Sequence, residues 1–144
     1  MHPDPASVLD GLVHPETQVH GGSVDLTVAR VHVIDEPAHV DFGGAELQLP
    51  ATTELEPGRR HPDDEYGWWS LAPGLYLIEY NETLREPPAF VQPREALIAG
   101  GAIHPAGWVD RLPGIGLFVG GGLELKENAR VSTMWPSMPG DAER

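Results

Sequence analysis

Side chains able to do chemistry are thinly spread along this chain. It has no cysteine, which excludes disulfides, thiolate zinc sites and cysteine nucleophiles together. Seven histidines are present, but they are scattered and no pair has the i,i+4 or short-loop spacing of a zinc site. No His-x-Glu is followed by Pro-Cys-x-x-Cys, so zinc-dependent deamination is closed. What remains are single residues with two readings each. Asp25 opens a strand-like stretch and reads equally as a turn or capping acid and as a site residue. Asp110 is an ordinary loop acid or a site acid, and Arg94 is a binding residue or one end of a salt bridge between subunits. Trp68-Trp69, with Tyr66, reads first as a core or interface anchor and second as a surface on which a base stacks.

Short strands must position these residues. Seventeen glycines and fifteen prolines, spread over the whole length, leave few windows long enough for a helix. Val24 to Ile34 is β-branched and alternates, which puts Val24, Leu26, Val28, Arg30, His32 and Ile34 on one face. The mixed polarity at Arg30 and His32 points that face at a polar interior or a subunit partner. Gly74 to Tyr80 follows a Pro-Gly turn, and Ala89 to Gln92 is closed by Pro93. Both are predicted strands. Ile115 to Val119, the triple glycine Gly120 to Gly122 and Leu123 to Leu125 predict a strand, a tight connection and a second strand. Arg94 to Ala99 has helical propensity for a turn or two only, and Glu54 to Glu65 reads as an exposed loop. The expectation is a single all-β domain over residues 1–135, with 1–20 as an N-terminal arm and 136–144 as a flexible tail.

Composition narrows the function classes. The chain's 144 residues fit one domain, and no apolar run approaches the roughly 18–20 residues of a bilayer-spanning helix. Prolines and acids stand at the N-terminus where an export signal needs a basic patch and an apolar stretch. No membrane association and a cytoplasmic setting are therefore expected. Twenty-two acidic against nine basic residues give a net charge of −13, a field that repels nucleic-acid backbones unless the few cations are gathered in one place. The same acidity suits a protein that stays soluble in high salt.

Taken in order, several segments resemble the trimeric dUTPase and dCTP deaminase superfamily, and most closely its archaeal dUTPase-like branch. Ser23-Val24-Asp25-Leu26 is similar to the motif in which an aspartate begins a strand. Leu71-Ala72-Pro73-Gly74, with Tyr76, Asn81, Glu82 and Thr83, looks like the strand leading into a Thr/Glu turn. Gln92 to Leu97 stands where these proteins carry an arginine, two serines and a leucine; Arg94 and Leu97 match, whereas Glu95 and Ala96 replace the serines. Ala106-Gly107-Trp108-Val109-Asp110 resembles the hairpin whose aspartate positions the attacking water or the deoxyribose. Leu123 to Met134 is similar to the strand, turn and strand ending in a phosphate-contacting glutamine, a place taken here by Thr133.

The resemblance implies a distorted β-barrel, or β-clip, of the dUTPase type, assembled as a homotrimer with sites at subunit boundaries. It implies hydrolysis of dUTP to dUMP and pyrophosphate with Mg²⁺. Asp110 would be catalytic. Arg94, Glu95, Ala96, His104, Gly107, Trp108 and Thr133 would line the nucleotide and phosphate site, and Asp25 would be an outer-shell contact to the metal. Deamination of dCTP is the alternative. It needs a glutamate on the strand after the aspartate hairpin, and Ile115 to Val119 contains none. A non-catalytic nucleotide-binding or scaffolding trimer of the same fold is a third reading, drawn from Glu95, Ala96 and Thr133.

Overall fold

The computed structural model describes residues 4–112 and 114–136. Thirteen strands form among them: β1 (Leu9–Asp10), β2 (Val19–His20), β3 (Ser23–Glu36), β4 (Ala51–Glu54), β5 (Trp68–Leu71), β6 (Gly74–Tyr80), β7 (Thr83–Leu84), β8 (Ala89–Pro93), β9 (Ala102–Ile103), β10 (Gly107–Val109), β11 (Ile115–Val119), β12 (Leu123–Lys126) and β13 (Arg130–Pro136). The helical pieces are single turns, α1 (Pro15–Gln18) and α2 (Glu95–Ala99), with a 3₁₀ turn at Pro5–Val8. The all-β expectation holds. Pro136 ends β13, and the rest of the expected tail, 137–144, lies outside the described residues, as do 1–3 of the arm.

One curled, nine-stranded antiparallel sheet dominates, with the path β10-β8-β13-β3-β6-β11-β9 and with β2 and β4 also pairing with β3. The 14-residue β3 is its spine: the first half pairs with β13 and β2, the second with β6 and β4. Each half closes its own core. Val24 and Leu26 pack with Val8, Leu9, Val91 and Met134, while Val28 and Val31 pack with Ile78, Leu117, Val119 and Val131.

One expectation is corrected, and one pairing is settled by the fold. The alternation predicted for Val24 to Ile34 slips, because the β3–β6 register shifts between Val28 and Arg30. The core side therefore passes from Val28 to Val31, and Arg30 and His32 share Glu79 on the outside, at 2.7 and 3.1 Å. The two strands flanking the triple glycine do not pair with each other: β11 joins β6 and β9, and β12 leaves to pair with β5. Trp69 on β5 is core, its indole N–H donating to the Leu55 carbonyl at 2.9 Å. Trp68 lies under the Arg60 guanidinium, 3.7 Å from the ring centroid.

A polar knot ties the N-terminal arm to the start of the spine. The buried Glu82 carboxylate accepts from the Thr27 backbone N–H at 2.8 Å, the Thr27 hydroxyl at 2.6 Å and the Gln18 amide at 2.9 Å. Gln18 also donates to the Asp25 carbonyl at 2.9 Å, and Asn81 donates to Thr27 and Asn128.

Candidate functional site

A groove of about 540 Å³ is built around Asp25. Its side chain is buried, and a buried carboxylate is costly unless paired. Three cationic or donor groups meet it: Arg130 Nη1 at 3.0 Å and His20 Nε2 at 2.8 Å on Oδ2, and Arg94 Nε at 3.6 Å from Oδ1. Each arrives by local rules. Gly21-Gly22 makes the two-residue turn that folds β2 back on β3 and brings His20 opposite Ser23, with Gly21 at φ +56°. Arg94 caps α2 from extended backbone, its N–H donating to the Val131 carbonyl at 2.9 Å and its Nη1 to the Arg130 carbonyl at 3.3 Å. Arg130 starts β13.

Glu95, Ala96 and Thr133 line the same groove. Arg94 and the adjoining Arg130 balance the Asp25 and Glu95 carboxylates, so this corner is close to neutral in a chain of net charge −13.

The other expected residues are placed elsewhere in the chain. Val109 pairs with Ala89 at one end of β8, whereas Arg94 follows Pro93 at the other. That separates Asp110 from Arg94 by roughly 13 Å or more, at ~3.3 Å per residue. Gly107 and Trp108 sit on β10, which ends just before Asp110, and Trp108 is exposed, edge-on to Phe90 with ring centroids 5.6 Å apart. His104 does not face the groove. Its ring is buried, Nε2 lying 2.7 Å from Ser132 Oγ and Nδ1 2.8 Å from the Pro105 carbonyl.

Burial pushes the His104 pKa down, with the Pro105 contact opposing. The unfolded chain takes up this proton near the ordinary value of about 6.5 while the folded chain resists it, so stability is full above that pH and falls as pH drops through it. Thermal melts between pH 8 and pH 5 are expected to show a falling midpoint, and His104→Asn flattens that fall; an unchanged slope in the variant counts against the assignment.

Arg130 and His20 were not among the residues singled out from sequence. Arg130 lies inside the Leu123 to Met134 segment and His20 just before Ser23, but no match at either position marks it; the fold brings both to Asp25.

No protein-family model matches the sequence. A protein of Methanococcoides burtonii, named a probable deoxyuridine 5'-triphosphate nucleotidohydrolase, is 28% identical over 133 residues, covering 86% of this chain and 75% of the relative. The crystal structure of 2'-deoxycytidine 5'-triphosphate deaminase from Agrobacterium tumefaciens superposes with a TM-score of 0.58 at 14% identity over 90% of this chain. The sequence is thus similar to that of a probable dUTPase and the fold to that of a dCTP deaminase, in line with the resemblance to that superfamily. It spans 43% of the length of that deaminase structure, so the likeness there is one of fold.

As a metal contact, Asp25 is crowded by cations. Oδ2 is taken by His20 and Arg130, and Oδ1 faces Arg94, so a divalent cation at this carboxylate would meet two guanidinium groups. Among the described residues no three His, Cys, Asp or Glu side chains gather as a metal-ligand group. The expected outer-shell role of Asp25 does not fit its surroundings; the side chain holds arginines.

Proposed function

We propose that this chain is a dUTPase-like nucleotide hydrolase that converts dUTP and water to dUMP and pyrophosphate. The observation that carries the reading is the groove in which Asp25 collects Arg94 and Arg130, two of the nine cations of an acidic chain, beside Thr133. Phosphoryl chemistry of this kind is chiefly positioning and charge stabilisation. Arg94, Arg130 and Thr133 take the phosphate oxygens. Asp110 orients the water and takes its proton; the water oxygen attacks the first phosphorus, the bond from that phosphorus to the bridging oxygen breaks, and pyrophosphate leaves with the bonding pair. Because Asp110 follows the pairing at the far end of β8, and neither Gly107 nor Trp108 lines the groove, the site is completed at a subunit boundary of a homotrimer, one copy supplying β10 and Asp110 and the next the groove. Magnesium enters as the partner of the triphosphate, part of the substrate, and offsets the charge of Glu95 on the groove wall. The enzyme acts in the cytoplasm.

Deamination of dCTP is the second reading, favoured by the structural likeness to a dCTP deaminase. Against it, β11 carries no carboxylate to shuttle protons, and its inward residues Leu117 and Val119 are buried core. The test is incubation of the purified protein with dUTP or dCTP and Mg²⁺, following nucleotide, pyrophosphate and ammonia by chromatography. Pyrophosphate from dUTP is expected. Ammonia from dCTP overturns the ranking, and no turnover of either leaves a nucleotide-binding scaffold.

A further inference from the structure

Strand β13 changes register just where it supplies the groove. Ser132 opposes Leu26, Thr133 opposes Asp25 and Met134 opposes Val24, and continuing that register backwards would set Arg130 opposite Val28. Arg130 instead opposes Thr27, because a bulge between Arg130 and Ser132 adds one residue to β13. Side chains alternate between faces with a period of two, so one added residue turns Arg130 over. Thr27 is two residues along β3 from Asp25 and on the same face; Arg130 thereby reaches Asp25 at 3.0 Å. In the uninterrupted register its side chain would leave from the face of Ser132 and Met134, both fully buried in the core.

The opposite face of the strand holds this bulge. Ser132 Oγ lies 2.6 Å from the Tyr80 hydroxyl and 2.7 Å from His104 Nε2. The Pro105 carbonyl can only accept, so His104 Nδ1 carries the proton. With the ring held neutral by burial, Nε2 accepts from the Ser132 hydroxyl, and Ser132 accepts from Tyr80. Every donor and acceptor in the chain is then used once. Three parts of the fold, β6, the segment after β9 and β13, converge on a single hydroxyl beside the bulge.

We propose that Tyr80 and His104, acting through Ser132, are positioning residues that pin the β13 bulge and so aim Arg130 at Asp25 beside the groove. The functional consequence rests on the groove being a phosphate site; the geometric one does not. The probe is inorganic pyrophosphate, titrated calorimetrically into the full-length protein in EDTA, with melts to show that each variant is folded. Ser132→Ala is expected to weaken binding about tenfold, the scale of one lost hydrogen bond. In an Arg130→Gln background the same change is expected to add nothing, since the serine acts only through that arginine. Additive losses, or parental affinity in Ser132→Ala, overturn the proposal. Should Ser132→Ala fail to fold, Tyr80→Phe removes only one link and takes its place in the cycle. If the parent binds no pyrophosphate, the phosphate reading falls and the positioning claim is decided by NMR: the Arg130 guanidinium N–H signals, resolved while the group is held on Asp25, are expected to broaden in Ser132→Ala, and unchanged signals refute it.

Discussion

Glu82→Leu is expected to leave the chain largely unfolded at 37 °C, while Glu82→Gln folds with a lowered midpoint. The carboxylate at this position satisfies the Thr27 N–H, the Thr27 hydroxyl and the Gln18 amide, all of them buried. Leucine fills the space and accepts nothing. A buried donor without a partner costs about 1–3 kcal/mol, so three such donors cost about 3–9 kcal/mol against a usual total stability of about 5–15 kcal/mol. Glutamine keeps one oxygen for the Thr27 N–H but turns an amide donor toward Thr27 and Gln18, which is a smaller conflict. The loss also spreads. Gln18 bonds the Asp25 carbonyl and Thr27 lies opposite Arg130, so the knot underlies the start of the spine and the groove beside it. Circular-dichroism melts and urea titrations of the two variants read this directly, and a leucine variant melting within a few degrees of the parent would show that the knot contributes little.

The strands carrying the site were readable because their residues are consistent at several levels. Gly74 to Tyr80 was delimited by its Pro-Gly turn, and the helical turn at Arg94 to Ala99 was bounded by Pro93 and Gly100. Asp25, Arg94, Glu95, Ala96 and Thr133 were linked by order of segments, and they line one groove. What sequence hid is registry. Strict alternation puts Arg130 on the face opposite Thr133, and only a bulge, which leaves no composition mark in Asn128-Ala129-Arg130-Val131-Ser132, returns it to Asp25. The same blindness affected β3, where a shift at Ala29 broke a six-residue alternation. Pairing partners were equally hidden: the Gly120-Gly121-Gly122 link has the chemistry of a hairpin, yet β12 finds its hydrogen bonds on β5, because the buried faces of Leu125 and Trp69 meet there. Long-range burial decides such choices, and a local window does not contain it.

Asp110→Asn and Arg94→Gln are each expected to lose dUTP hydrolysis, the first by about 10²–10⁴-fold, the range for a positioned proton-transfer carboxylate. Their combination is more informative than either. The two positions lie at opposite ends of β8, so within a single chain Asp110 cannot serve the groove that Arg94 lines. In a trimer with a site at each boundary, one chain gives Asp110 and its neighbour gives Arg94. Subunits of the two variants, unfolded together and reassembled at equal amounts, then form some boundaries at which both side chains are intact, about a quarter of the total for random mixing. Activity recovering to about that fraction of the parent, from two preparations that are each inactive, requires a shared site. Recovery is impossible if both residues act from the same chain, and in that case the role given to Asp110 has to pass to a residue that the groove itself contains, with Glu95 the carboxylate nearest to hand. Full activity in Asp110→Asn alone would remove it from the reaction altogether. Light scattering on the same mixtures fixes the denominator, because the quarter follows only if the assembly has one boundary per subunit.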